Sequence, residues 1–143
     1  MTHLTHSTKS IKAEDIVCAW HLVDAKGKIL GRLASDIASL LTGKSKVTYV
    51  DYLDSGDEVV VINASEIVVT GKKATTKTYD SFSGYPGGLR KISYSQMMEK
   101  KPGEIIRHAV SGMLPKNKLR DPRLARLHVF AGSEHTFIDK FTK

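Results

Sequence analysis

A single cysteine, Cys18, stands among 143 residues. That excludes an intramolecular disulfide and any zinc site built from clustered cysteines. No uncharged apolar stretch approaches the ~18 residues that a membrane span requires. The first twelve residues are rich in Thr, Ser and His and lack the apolar core of a secretory signal. With two lysines and no arginine they also make a poor transit peptide. They read as a flexible arm, with His3 and His6 solvated rather than metal-bound. His21, His108, His128 and His135 are scattered singly, without the short paired spacing of a zinc site. No internal repeat is visible. Acid is scarce in one interval: residues 72–128 hold only Asp80, Glu99, Glu104 and Asp121.

That scarcity meets an abundance of base. The chain carries a net charge of +7, but unevenly. Residues 1–71 hold 7 basic and 9 acidic residues, whereas 72–128 hold 13 basic and 4 acidic. The first half is a nearly neutral scaffold and the middle-to-late chain carries the field. Charges of both signs intersperse on an inert surface, and here they do not. An anionic partner follows, nucleic acid before acidic membrane. The length suits one domain able to bury about 68–70% of its unfolded surface.

The apolar pattern predicts an α/β fold. Ile16 to Val23 reads as a strand, stopped by Asp24-Ala25-Lys26-Gly27-Lys28, with Cys18 as a small buried residue within it. Leu30, Leu33, Ala34, Ile37, Leu40 and Leu41 form one stripe of a helix, with Gly43 at the left-handed cap position. Val59-Val60-Val61-Ile62 does not alternate, as expected of a strand buried on both faces in a parallel sheet. Ile67-Val68-Val69 is a second short apolar run. Residues 71–91, with Gly71, Gly84, Gly87, Gly88 and Pro86, read as a loop. Ser93 and Gln96 have capping-box spacing ahead of a short helix. Pro102 opens another helix with Ile105, Ile106, Ala109, Val110, Met113 and Leu114 as its apolar face. Pro115 ends it, a basic helix or turn covers 116–126, and Leu127 to Ala131 reads as a last strand. Strand, helix, strand, helices, strand argues for a parallel or mixed sheet. The boundaries expected are an arm over 1–15, a domain over 16–132 and a tail over 133–143.

Gly43-Lys44-Ser45 resembles the end of a phosphate-binding loop, but Ala38 stands where the first glycine is needed, and a helix precedes rather than follows. The collective signal is stronger. Lysine and arginine offer charge and hydrogen bonds to phosphate, and arginine also stacks on bases. Aromatics in loops stack on unpaired bases. Glycines let backbone N–H groups approach phosphate. Residues 72–91, with Tyr79, Phe82 and Tyr85, and residues 107–126 contain all these parts. RNA binding is the function they favour. An enzyme acting on an anionic, nucleotide-like substrate would need a convergent acid, base or nucleophile, and the few carboxylates form no recognisable site. A membrane-surface module would need bulky apolar residues exposed opposite lysines, whereas the 102–114 stripe is better used as core.

Several motifs occur in order from Trp20 to His135. They are Trp20-His21-Leu22-Val23-Asp24-Ala25, Leu30-Gly31-Arg32-Leu33-Ala34-Ser35, Ser55-Gly56-Asp57, Val61-Ile62-Asn63-Ala64 and Val69-Thr70-Gly71-Lys72-Lys73. Ser83-Gly84-Tyr85-Pro86-Gly87-Gly88-Leu89 follows, then Val110-Ser111-Gly112-Met113-Leu114-Pro115-Lys116-Asn117 and Val129-Phe130-Ala131-Gly132. Together they make the chain resemble the bacterial-type large-subunit ribosomal proteins of the L13 family. The likeness implies a single three-layer α/β/α domain around a mainly parallel sheet of about four strands, with basic loop extensions. It implies a non-enzymatic, cofactor-free constituent of the large ribosomal subunit that binds its RNA and supports assembly. It also implies neighbouring ribosomal proteins as partners, no membrane, no homo-oligomer, and a cytoplasmic ribosome; an organelle ribosome fits if a transit peptide has been removed. The RNA-facing residues it points to are Lys72, Lys73, Arg90, Lys91, Arg107, Lys116, Asn117, Lys118, Arg120 and Arg123. Departures from the family pattern are Val50-Asp51 without the usual proline, Arg120-Asp121 where glycine and arginine are common, and Phe137 in place of a second histidine.

Overall fold

A computed structural model describes residues 11–141. His3, His6 and most of the arm expected over 1–15 lie outside the described residues, as do the last two residues of the tail. The elements run β1 (Trp20–Asp24), α1 (Leu30–Thr42), β2 (Glu58–Ile62), α2 (Lys73–Thr76), β3 (Thr78–Phe82), β4 (Leu89–Ser93), α3 (Tyr94–Lys100), α4 (Pro102–Met113), α5 (Arg120–Ala125) and β5 (Leu127–Val129). Strands β1, β2 and β5 form a parallel sheet with β2 in the middle. Strands β3 and β4 form a separate antiparallel hairpin.

The central place of β2 explains its sequence. Val59, Val60 and Val61 are all fully buried, because successive side chains enter opposite faces and both faces are covered. Val59, Val61 and Leu127 share a core with Leu33, Ile37 and Leu41 of α1 and with Ile105, Ile106 and Val110 of α4. The two helices pack on each other over this face. Helix α1 stops at Gly43, whose φ of +77° closes the helix in the left-handed conformation. Helix α4 starts at Pro102, where a missing N–H costs nothing.

On the other face, the C-terminal segment does the covering. Phe137 lies 5.2 Å from the Trp20 ring and 4.4 Å from His128. Phe141 meets the edge of Trp20. The departure at position 137 thus places an apolar ring at the centre of an aromatic cluster.

Three expectations change. The first strand begins at Trp20, not Ile16, and Cys18 is exposed. The Ala19 carbonyl still accepts the Glu58 N–H at 2.9 Å, but beyond it residues 17–19 are held by side chains: Lys46 Nζ donates to the Val17 carbonyl at 2.8 Å, and Asp57 Oδ1 accepts the Ala19 N–H at 2.8 Å. Ile67-Val68-Val69 makes only an isolated parallel bridge, Val68 with Ile29, while Ile67 turns into the core. Residues 71–91 are not one loop; they hold α2, β3 and the start of β4. The hairpin escapes an apolar-period reading because Thr78, Asp80, Ser81, Arg90 and Lys91 face solvent.

Candidate nucleic-acid interface

The first basic segment is built around the β3–β4 hairpin. Lys72 and Lys73 are exposed at the start of α2, directly after Gly71 with its φ of +69°. Arg90 lies opposite Ser81 and Lys91 opposite Asp80. As neighbours on one strand they project from opposite faces, so each face carries one cation, Lys91 beside Asp80 and Arg90 without an acid on its face. Its base is tied down. The Tyr94 N–H donates to the Lys77 carbonyl at 2.9 Å. Tyr79 packs against the core and lies 5.5 Å from His108 of α4, with Lys77 Nζ 5.4 Å from its ring centre. Burial, with Tyr94 adding to it, pushes the Tyr79 phenol above its ordinary pKa. Tyr79 is therefore an anchor, whereas Phe82 and Tyr85 stand in solvent.

The second segment starts on α4. Arg107 is exposed, with Nη2 reaching the Leu127 carbonyl at 3.4 Å. After Pro115, Lys116, Asn117 and Lys118 are exposed in a turn. Asn117 shapes that turn: its Oδ1 accepts the Leu119 N–H at 3.1 Å and its carbonyl accepts the Arg120 N–H at 3.1 Å. Arg120 is half-buried and donates from Nη2 to the Ser111 hydroxyl.

Arg123 is different. The sequence reading puts it on the RNA-facing surface, but its side chain is buried, with Nε 3.2 Å from Asp54 Oδ1. Arg126 grips the same carboxylate in bidentate fashion, at 2.7 and 2.6 Å. Its Nη2 also donates to the Leu41 carbonyl at 3.2 Å. These two arginines fasten α5 to the end of α1 and to the 54–57 segment that leads into β2. A charge count along the chain cannot separate them from the lysines nearby.

The basic segments meet along the seam between α1 and α4. A groove of about 460 Å³ is lined by Ser35, Ser39, Lys44, Met113 and Pro115 among others. A smaller cavity of about 260 Å³ borders it at Met113 and is lined by Gly31, Thr70, Lys73 and Lys77. Lys44 and Lys77 thus join the surface although the candidate set omits them. Lys77 was legible in the basic run at 72–91. Lys44 stands inside Gly43-Lys44-Ser45, whose sequence points to a nucleotide loop and not to an RNA surface. Among the described residues, Lys72, Lys73, Arg90, Lys91, Lys116 and Lys118 make no ion pair with a carboxylate. No group of three or more His, Cys, Asp or Glu side chains in those residues is placed to hold a metal ion. No helix there is long and apolar enough to cross a membrane.

Comparison with known proteins agrees with the order of motifs. The family model described as Ribosomal protein L13 matches residues 18–136. The large ribosomal subunit protein uL13 of Clostridioides difficile (strain 630) is 58% identical over 125 residues, covering 87% of each chain. That of Pelobacter propionicus is 51% identical over 128 residues, covering 90% of each. That of Rubrobacter xylanophilus is 53% identical over 116 residues, covering 81% of each.

Proposed function

This chain belongs to the ribosomal protein L13 family, and from that membership we propose that it is a structural constituent of the large ribosomal subunit. It binds large-subunit ribosomal RNA, supports assembly of the subunit, and works on the ribosome of the cytoplasm. It is a scaffold protein and not an enzyme. Its partners are that RNA and neighbouring large-subunit proteins; it needs no cofactor and acts as a single copy.

The observation that carries the RNA-binding reading is the set of exposed, unpaired cations on either side of the α1–α4 seam. Such cations neutralise phosphates and release counterions, so affinity falls steeply with salt. The contact residues proposed are Lys72, Lys73, Arg90, Lys91, Arg107, Lys116, Asn117, Lys118 and Arg120. Arg123 belongs to the site as an internal brace that fixes the 116–126 segment. Specificity comes from RNA shape and unpaired bases rather than from reading a duplex. We take 16–132 as the RNA-binding domain, 1–15 as an arm and 133–143 as a tail. On this reading the tail is the third layer and the Ile29–Val68 bridge is the rudiment of a fourth strand, supported by the aromatic cluster at Trp20 and by the bridge itself.

The test is binding to purified large-subunit ribosomal RNA across a salt series, with small-subunit RNA as competitor. The unmodified chain is compared with a variant in which Lys72, Lys73, Lys116 and Lys118 are all Ala. Tight, large-subunit-selective binding with a shallower salt dependence in the variant is expected. Equal, weak binding to both RNAs, unchanged by the substitutions, overturns the proposal.

A further inference from the structure

We infer that the tip of the β3–β4 hairpin is a stacking platform for unpaired RNA bases, formed by Phe82, Tyr85 and Leu89. This deepens the RNA-binding reading and rests on it. Phe82 and Leu89 face each other across the hairpin. They lie on the face opposite to Tyr79 and Ile92, the pair nearest the core. They are 65% and 55% exposed, and Tyr85 in the turn is 75% exposed. Three large apolar side chains within eight residues thus turn away from the core, and such patches mark interaction sites.

The tip is shaped as well as exposed. Gly84 and Gly87 hold φ values of +87° and +76°. The Gly88 N–H donates to the Tyr85 carbonyl at 2.9 Å, and the Ser83 N–H to the Gly88 carbonyl at 3.3 Å. A side chain at Gly88 would strike Ser83 Oγ at 2.0 Å. The turn is therefore closed on itself and presents Tyr85 in one arrangement. An isolated hairpin is marginal in water, and a tip that buries nothing draws no stability from the core. Its apolar groups are matched to something outside the chain.

Charge decides what that is. Lys91 shares the platform's face across from Asp80, Arg90 projects from the other face beside Leu89, and Lys72, Lys73 and Lys77 precede the hairpin against that single carboxylate. Aromatic rings interleaved with cations are the means by which proteins hold single-stranded RNA. Phe82 and Tyr85 offer flat faces to splayed bases. Leu89 supplies an apolar edge of the kind that wedges beside a base step.

Stacking and phosphate contact leave different signatures, which makes the inference testable. The full chain and a Phe82→Ala/Tyr85→Ala/Leu89→Ala variant are titrated against large-subunit ribosomal RNA across a salt series. The variant binds about tenfold to a hundredfold more weakly, the loss expected of one or two stacked bases. The slope of log affinity against log salt stays unchanged, because no phosphate contact is removed. A Phe82→Tyr/Tyr85→Phe variant, which keeps both rings, restores the affinity. Thermal midpoints of all three proteins stay close, since the altered side chains pack only on each other and not on the core. Unchanged affinity in the triple variant overturns the inference and leaves the basic surface standing. So does intact RNA affinity combined with failed incorporation into reconstituted subunits, which assigns the tip to a protein neighbour. Absence of selective RNA binding by the unmodified chain overturns the proposed function, and the platform with it.

Discussion

At Gly56 a Cβ would lie 1.8 Å from the Leu41 carbonyl oxygen and 2.8 Å from an Arg126 guanidinium nitrogen. The backbone of the 54–57 segment therefore touches the end of α1, and no side chain fits between them. Gly56→Ala is expected to destabilise the fold by about 3 kcal/mol, the upper range for forced overpacking, measured as a lower urea midpoint with an unchanged slope. Asp57 beside it is buried and takes three hydrogen bonds, from Lys46, the Ala19 N–H and His21. Burial raises its pKa, but those bonds outweigh burial and hold the carboxyl below its ordinary value. A depressed carboxylate contributes stability above its unfolded pKa of about 3.9, and loses it as pH falls through the folded value. Asp57→Asn should cost about 3 kcal/mol at pH 7, near the low end for breaking a buried ion pair because Lys46 keeps some solvent contact. Its stability should then fall less steeply than that of the unmodified chain below pH 4, as followed by thermal melts. The sequence shows Ser55-Gly56-Asp57 as a motif, yet not its purpose. Its partners Leu41, Arg126 and Ala19 lie far away along the chain, and only the fold brings them together.

Helices were the legible elements, and for a physical reason. Helices α1 and α4 each bury one stripe against the sheet, so the 3.6-residue period survives in the sequence, and Gly43 and Pro102 mark their ends. The central strand was legible because both its faces are covered. The hairpin was not, because it packs mainly through Tyr79 and Ile92 and no apolar alternation forms. The basic run around it and the stacking aromatics Phe82 and Tyr85 were visible; that Leu89 joins them and Tyr79 does not was not, since only the register places Phe82 across from Leu89. The capping box that follows was readable by spacing alone. The Ser93 hydroxyl accepts the Gln96 N–H at 3.4 Å, and Gln96 Oε1 accepts the Ser93 N–H at 3.3 Å. This cap joins β4 directly to α3, so it fixes the angle at which the hairpin leaves the domain. Ser93→Ala should lower stability by about 1 kcal/mol, read from chemical denaturation. Hydrogen exchange should quicken at Tyr94 to Gln96 before it quickens in α4.

Across the whole molecule, charge has two jobs that a linear count merges. Residues 72–128 carry 13 basic residues, but Arg123 and Arg126 close on Asp54 inside the fold, whereas Lys116 and Lys118 face water without a carboxylate partner. An internal cation contributes to stability, because removing it strands a partly buried carboxylate. A solvent-facing cation contributes to RNA affinity through counterion release, because only it can meet a phosphate. The two jobs separate in a pair of variants. Arg123→Ala should lose about 3 kcal/mol of stability, near the low end for a broken buried pair since Arg126 still holds Asp54. At a temperature where it remains folded, its RNA affinity should show the same salt slope as the unmodified chain. Lys118→Ala should melt with the unmodified chain, yet its slope should be shallower by about 0.7–0.9, the contribution of one phosphate contact. Denaturation and salt-series titration of the same two proteins check both halves. A shallower slope for Arg123→Ala would mean that the α5 brace opens on RNA and releases its arginine to the phosphate backbone. An unchanged slope for both would move the RNA contact off the 116–118 turn and onto the hairpin side of the seam.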